Sequence, residues 1–365
     1  MTRTARGAGL TIGLALVLTS CGLAAFSTPA LAPEIATRPR VEAAPLPQSE
    51  PMRAPAEPVL IAKATLPQAV TAKASLPATD LGEVRHLYQS LNNCGPASVV
   101  MVLSTFGISA DQEAARLALR GPDWRRGMSP VGVDPWVKEL YGLRAVWRNN
   151  GTSALMKSLI SNGFAPMVTQ WMEDPSVSRI AHWRSVVGYD DARGVFYSND
   201  PMRGRYVPLA YDWFDKVWQP FSYRYLVVYR PEDEALLKSI VGEQWSDRVM
   251  REAYYERARS EAAIRRDSSS WLAYGEAAYQ DGHFDESVAA FQQGLALGSA
   301  EGVFTLRGSY PQALRALGRE ADASRVQQRL NATAAVPTVA APPPDDLALR
   351  IAVERMLREP VHFSD

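Results

Sequence analysis

Cys94 and Gln89 are the residues of this sequence best placed by type and spacing to do chemistry. Cys94 starts the run Cys94-Gly95-Pro96-Ala97-Ser98, which leads into an apolar helical stretch, Val99 to Phe106. A helix N-terminus presents unpaired N–H groups and partial positive charge. A thiol placed there loses its proton more readily, and the thiolate is the nucleophile. Gln89 lies a few residues upstream, and its side-chain amide could join the backbone N–H of Cys94 in stabilising an oxyanion. The alternative is a small buried cysteine at the start of a core helix, since free cysteines are usually inert packing residues.

A nucleophilic thiol needs a base within hydrogen-bond reach and a third group that holds the base. The chain has four histidines. His86 lies just upstream of the cysteine motif, His283 in a turn between predicted helices and His362 near the C-terminus. His182 opens a predicted strand, His182 to Tyr189, after a polar loop, where its ring could face the N-terminus of the Cys94 helix. Asp200 follows the strand that pairs back, Val195 to Asn199, and is placed to be the third group. An Asp ahead of Pro201 also suits a simple turn. Cys, then His, then Asp, with Gln ahead of the Cys, is a workable order for acyl transfer. Such a site needs neither metal nor cofactor.

The elements that must position these groups follow from periodicity. Ser109 is the expected N-cap of a helix through Leu119, with Asp111 and Glu113 in its first turn. Asp134-Pro135 starts a helix ending near Gly142, and Thr152 caps another that stops at Gly163. Strands are expected over Leu143–Trp147, Pro166–Trp171, His182–Tyr189, Val195–Asn199 and Tyr223–Tyr229, with a short helix at Trp213–Trp218. Helices first and antiparallel strands after is an α+β layout. The loops Gly121–Pro130 and Glu173–Ala181 are expected to shape a substrate groove.

The flanks read differently. Arg3 and Arg6 precede an apolar run, Leu10 to Leu18, too short to span a bilayer and suited to a secretion signal. The signal, residues 1–26, contains Leu18-Thr19-Ser20-Cys21, which resembles a bacterial lipobox and implies lipidation at Cys21; cleavage after Ala30-Leu31-Ala32 is the alternative. Residues 27–80 are rich in Pro and Ala and read as a disordered or polyproline-like tether. Cys21 is the one other cysteine. If it carries lipid or is removed, Cys94 has no disulfide partner, and an unpaired thiol in an exported protein is a candidate reactive group. The 39 basic and 39 acidic side chains balance, which argues against nucleic-acid binding through a basic surface.

Residues 231–331 read as helical. Val249, Met250, Ala253, Tyr254 and Ala258 lie at helical spacing, and Trp271, Tyr274-Gly275, Ala278, Gly282, Phe284, Ser287, Phe291 and Gly294 resemble the tetratricopeptide pattern. A poorer copy runs from about Gly302 to Leu330, where Pro311 implies a helix that starts late. The stripes are hairpin core, and the outer face could hold a protein partner. Residues 332–365 read as a Pro/Ala linker and a short helix.

The motifs carry a family resemblance. Gln89 with Asn93-Cys94-Gly95-Pro96-Ala97-Ser98, then His182-Trp183 with Val186-Val187-Gly188-Tyr189-Asp190, then Ser198-Asn199-Asp200-Pro201 resemble family 39 of the cysteine peptidases. The likeness is nearest to its stand-alone C39-like branch and covers about Leu87 to Tyr229. It implies a papain-like cysteine peptidase fold over residues 81–230, followed by the helical hairpins. It also implies Cys94 as nucleophile, His182 as base and acid, Asp200 as the group orienting His182, and Gln89 as oxyanion donor. The best-known members cut leader peptides after a double glycine. Those domains usually carry Asp where this chain has Asn93, so that specificity does not follow. The expected substrate is a peptide or protein, met by an exported enzyme anchored to a membrane through its N-terminal lipid. Phytochelatin synthase, a glutathione transpeptidase, resembles the same Cys-Gly-x-Ala-Ser helix, which leaves transfer of an acyl group to an amine as a second reading. A non-catalytic binding lipoprotein on this fold is a third.

Overall fold

The computed structural model describes residues 72–123, 126–174, 178–298 and 306–333. The expected signal, Cys21, most of the tether, and the C-terminal linker and helix from 334 onward lie outside these residues. In chain order the elements are β1 (Ala78–Asp80), α1 (Cys94–Leu103), α2 (Gln112–Leu119), α3 (Val133–Tyr141), β2 (Arg144–Arg148), α4 (Ser153–Ser161), β3 (Met167–Asp174), β4 (Ser178–Asp190), β5 (Val195–Asp200), β6 (Gly204–Ala210), α5 (Tyr211–Trp218) and β7 (Tyr225–Tyr229). The helices α6 (Glu234–Val241), α7 (Asp247–Arg265), α8 (Ser268–Asp281), α9 (Phe284–Leu297), α10 (Leu306–Ala316) and α11 (Glu320–Thr333) follow.

The strands form one antiparallel sheet in the order β2-β7-β3-β4-β5-β6, with β1 added on β4. Side chains alternate across a strand, and here both faces are buried. Tyr225, Val227 and Tyr229 of β7 enter one core with Val168 and Val146, while Leu226 and Val228 enter another with Met167. Helices α1, α2 and α3 cover the second face. The first face is covered by α4, α5 and α6 and, continuously, by Tyr254, Tyr255, Ala258 and Ala262 of α7, Tyr274 and Ala277 of α8 and Ala290 of α9. The helical region therefore shares a core with the sheet. A separate core, built on Leu272, Phe291, Tyr310, Leu314 and Leu330, joins α8 to α11.

Strand β4 is the spine of the sheet. Its first half pairs with β3, from Asp174↔Ser178 to Met167↔Ser185, and its second half pairs with β1, from Asp80↔Gly188 to Ala78↔Asp190. The irregularity between Val186 and Gly188 marks the hand-over. At Gly188 a Cβ would stand 2.9 Å from Asp80 Cβ and 3.1 Å from Thr79 O, so only glycine lets β1 lie this close.

Several expectations are corrected. Residues Ala78–Asp80, expected within the tether, form β1. Residues Glu173–Ala181, expected as a groove loop, belong mostly to the β3–β4 hairpin, so His182 sits inside a strand rather than at its start. The cap of α2 is Asp111, whose Oδ2 accepts from Ala114 N–H at 2.7 Å. Ser109 instead accepts from Arg85. The stretch after residue 231, expected to be helical, is broken at Gly242, whose φ of 65° is in the left-handed region, into α6 and α7. Helix α10 passes through Pro311, with Leu306 to Tyr310 helical ahead of it.

Candidate active site

The peptide leading into α1 is held by a strap, residues 81–93, that wraps the end of β5. Asn199 Nδ2 donates to Val84 O at 3.2 Å, Gln89 N–H donates to Pro201 O at 2.8 Å, and His86 Nε2 lies 2.9 Å from Asp200 O. Gln112, the first residue of α2, staples the turn before Cys94. Its Oε1 accepts from Ser90 N–H and from Asn93 Nδ2, both at 2.8 Å, and its Nε2 donates to Tyr88 O at 3.0 Å. Arg120 Nη1 donates to Asn92 O at 2.9 Å. These bonds fix where α1 begins.

The axis of α1 is set by small residues. Ser98 Oγ donates to Trp183 O at 3.2 Å, Ser185 Oγ to Ser98 O at 3.3 Å, and Ser198 Oγ to Ser185 O at 3.1 Å. This ladder of hydroxyls runs from α1 through β4 to β5, the three elements that carry Cys94, His182 and Asp200. Gly95 is needed for a different approach: a Cβ there would lie 2.6 Å from Met128 Cβ. Met128 thus closes over the first turn of α1.

The three expected groups meet. His182 and Asp200 are fully buried, and Cys94, a free thiol, is 9% exposed. His182 Nε2 is 2.8 Å from Asp200 Oδ1. The other ring nitrogen, Nδ1, has no hydrogen-bond partner of ordinary geometry, and Cys94 is the titrating neighbour left to it. Burial works against the thiolate. His182 beside it, helped by the N–H groups of Trp183 and Gly95, outweighs burial and lowers the Cys94 pKa. Burial also disfavours the imidazolium. The charge and hydrogen bond of Asp200, followed by Cys94, reverse this and raise His182 to about 8. Burial pushes the Asp200 carboxyl up, but His182, Arg184 and the Met202 N–H hold it far below the usual range. All three shifts therefore run toward thiolate, imidazolium and carboxylate.

Gln89 is carried to this end of the sheet by its backbone bond to Pro201, and its Oε1 is buried without a hydrogen-bond partner. Among the described residues, no group of three or more His, Cys, Asp and Glu could hold a metal ion. Sequence reasoning did not single out Gln112, His86 or Arg184. Arg184 lies two residues beyond His182 and so on the same face of β4, a signal that was available.

The fold and this geometry define a buried thiol–imidazole–carboxylate site on a mixed helix and antiparallel-sheet scaffold. Residues 81–226 match the Peptidase_C39 like family. A solved structure from Bacillus anthracis, described as a C39-like peptidase, is similar at 14% identity, over 42% of this chain and 98% of that one, with a TM-score of 0.35. No curated protein matches the sequence.

Proposed function

We propose that the chain is a papain-like cysteine peptidase that cleaves peptides or protein tails through an acyl-enzyme. The observation that carries this reading is the His182 Nε2–Asp200 Oδ1 bond of 2.8 Å, which leaves Nδ1 for a thiol at a helix N-terminus. The Cys94 thiolate attacks the scissile carbonyl carbon and the π electrons move onto oxygen. The backbone N–H of Cys94 and the Gln89 amide stabilise that oxyanion. As the C–N bond breaks, imidazolium His182 gives its proton to the leaving amine. Neutral His182 then takes a proton from water, which attacks the thioester and restores the thiolate–imidazolium pair. Asp200 keeps the ring in register throughout.

Replacing Cys94 with Ala in the full chain is expected to abolish turnover and to retain uncut substrate in a pull-down. Full activity of Cys94→Ala on a confirmed substrate would refute the reading. Release with added amine of an amide in place of the free acid would instead favour an acyl transferase.

The same proposal places the enzyme outside the cytoplasm as a lipoprotein acylated at Cys21, on the support of the Leu18-Thr19-Ser20-Cys21 motif. Two or more acyl chains anchor stably where one does not. Cys21→Ala should move the protein to the soluble exported fraction; retention in the membrane would sink the anchor and leave the peptidase reading standing. Helices α8–α11 are read as two tetratricopeptide-like hairpins, supported by the close approach of Gly275 to Phe291 and of Gly294 to Leu272.

A further inference from the structure

Arg184 is a buried cation with little to hold it. It is 1% exposed, and none of its three guanidinium nitrogens makes a hydrogen bond of ordinary geometry. Its Nε lies 3.3 Å from Asp200 Oδ2, and its guanidinium carbon stands 5.8 Å from the centre of the Trp213 ring. The pairing Ser185↔Asn199, continued by one step, sets Arg184 across from Asp200. An apolar side chain of similar length would fill this position without the cost of desolvating a guanidinium. Packing therefore does not account for an arginine here.

The carboxylate explains it. Asp200 Oδ1 is saturated: it faces His182 Nε2 at 2.8 Å and accepts from the N–H groups of Met202 at 2.8 Å and Arg203 at 3.0 Å. Oδ2 accepts no hydrogen bond of ordinary geometry among the described residues, and Arg184 Nε lies beside it. Without Arg184 the carboxylate charge would be balanced by His182 alone, and the imidazolium would hold its proton more tightly. The other titratable and charged groups around the set are Cys94 from α1, Arg120 beyond α2, His86 from the strap and Arg203 from the β5–β6 turn. Among them Arg184 is the side chain placed on Oδ2.

We propose that Arg184 is a positioning residue of the site: its buried guanidinium engages Asp200 Oδ2, keeps Oδ1 on His182 and balances the carboxylate so that the imidazolium can release its proton. This rests on the peptidase reading, in which that proton goes to the leaving amine.

The test uses the full chain and iodoacetamide. Alkylation of the Cys94-containing peptide is followed by mass spectrometry against pH for wild type, Arg184→Gln and Arg184→Lys. Wild type should show a lower inflection for thiolate formation and an upper one for loss of the His182 proton. Arg184→Gln, which keeps a donor but loses the charge, should move the upper inflection up by about one unit or more. Arg184→Lys, which keeps the charge, should stay near wild type. Superimposable wild-type and Gln profiles, or equal shifts in Gln and Lys, would overturn the proposal and leave the thiolate–imidazolium pair intact. A single wild-type inflection at about 8.5, the free-thiol value, would instead bring down the peptidase reading itself. If Arg184→Gln does not fold, the double variant Arg184→Met, Asp200→Asn supplies the measurement. Removing both charges should restore folding, and a double variant no more stable than Arg184→Gln overturns the pairing.

Discussion

Two polar clusters in this molecule, one fully buried and one half-buried, are furnished in opposite ways. One is the Cys94, His182, Asp200 and Arg184 set. The other is a seam where the loops before α4 and after α5 meet helices α7 and α8. In the seam, Glu261 accepts from Gln219 Nε2 at 2.7 Å, Tyr223 OH at 3.0 Å and Arg257 Nε at 2.9 Å. Arg257 also donates to Gly151 O at 2.9 Å and stacks 3.5 Å from the centre of the Tyr223 ring. Asn149 Nδ2 reaches Gln280 at 2.8 Å and Asn150 Nδ2 reaches Gln244 at 2.9 Å. The seam uses up its hydrogen-bonding capacity. The first cluster leaves His182 Nδ1, Asp200 Oδ2, the Arg184 nitrogens and Gln89 Oε1 without hydrogen bonds. A saturated network resists change, whereas unused capacity next to a thiol leaves donors and acceptors for a reacting molecule.

The difference can be attacked from both sides. The largest effect belongs to the unsaturated cluster. His182→Ala should lower turnover by about four powers of ten or more, and Gln89→Ala by about two to three if its amide serves the oxyanion. Above about pH 8, where the charge on His182 no longer contributes, both proteins should melt close to wild type by circular dichroism. A large fall in melting temperature with activity preserved would place His182 in the structural class. The seam should behave in reverse. Glu261→Ala leaves Arg257 and two further donors without their acceptor and should cost about 1–3 kcal/mol of stability. That cost is read by denaturant titration, with Cys94 alkylation at fixed pH unchanged. An equal loss of thiol reactivity would mean that the two clusters are coupled.

The smallest effect is a pH dependence. His182 binds its proton more tightly folded than unfolded, since its pKa is raised from 6.5 to about 8. Its contribution to stability is therefore fully present below about 6.5 and is lost as pH rises through about 8. Thermal melts of wild type and His182→Gln should converge across that window by loss of wild-type stability. Curves that stay parallel from pH 6 to 9 would contradict the charge state assigned to the ring.

That Cys94, His182 and Asp200 would come together was legible in the sequence because few side-chain types suit the roles proposed for them, and each sat at a helix start or in a strand pair. Gln112 and His86 were not, because their work is done on the main chain of distant segments, at Tyr88 O and Asp200 O. Arg184 was hidden by the expectation that His182 opens its strand, which left the register with β5 undrawn. Strand β6 was missed because Pro208 breaks its pattern, and a proline is tolerated there because β6 lies at the sheet edge. β1 is too short to show a period. Helices α6 to α11 were legible as helices, but an apolar stripe does not say what it packs on. Tyr254 and Ala258 lie at helical spacing in the sequence, and in the structure they share a core with the sheet.

The strap over β5 has a consequence for how such a site can change. Its fastenings at the end of β5 accept on peptide carbonyls: Val84 O, Asp200 O and Pro201 O. Peptide carbonyls survive substitution of the residues that bear them. The side chains of Tyr88 and Leu91, 51% and 54% exposed, stand on this strap either side of Gln89. They are free to drift, or to be redesigned, while the backbone beneath them stays where the sheet has buttoned it. The strap thus separates what a visiting chain encounters from where the amide of Gln89 is held, and a lineage can retailor the first without refitting the second.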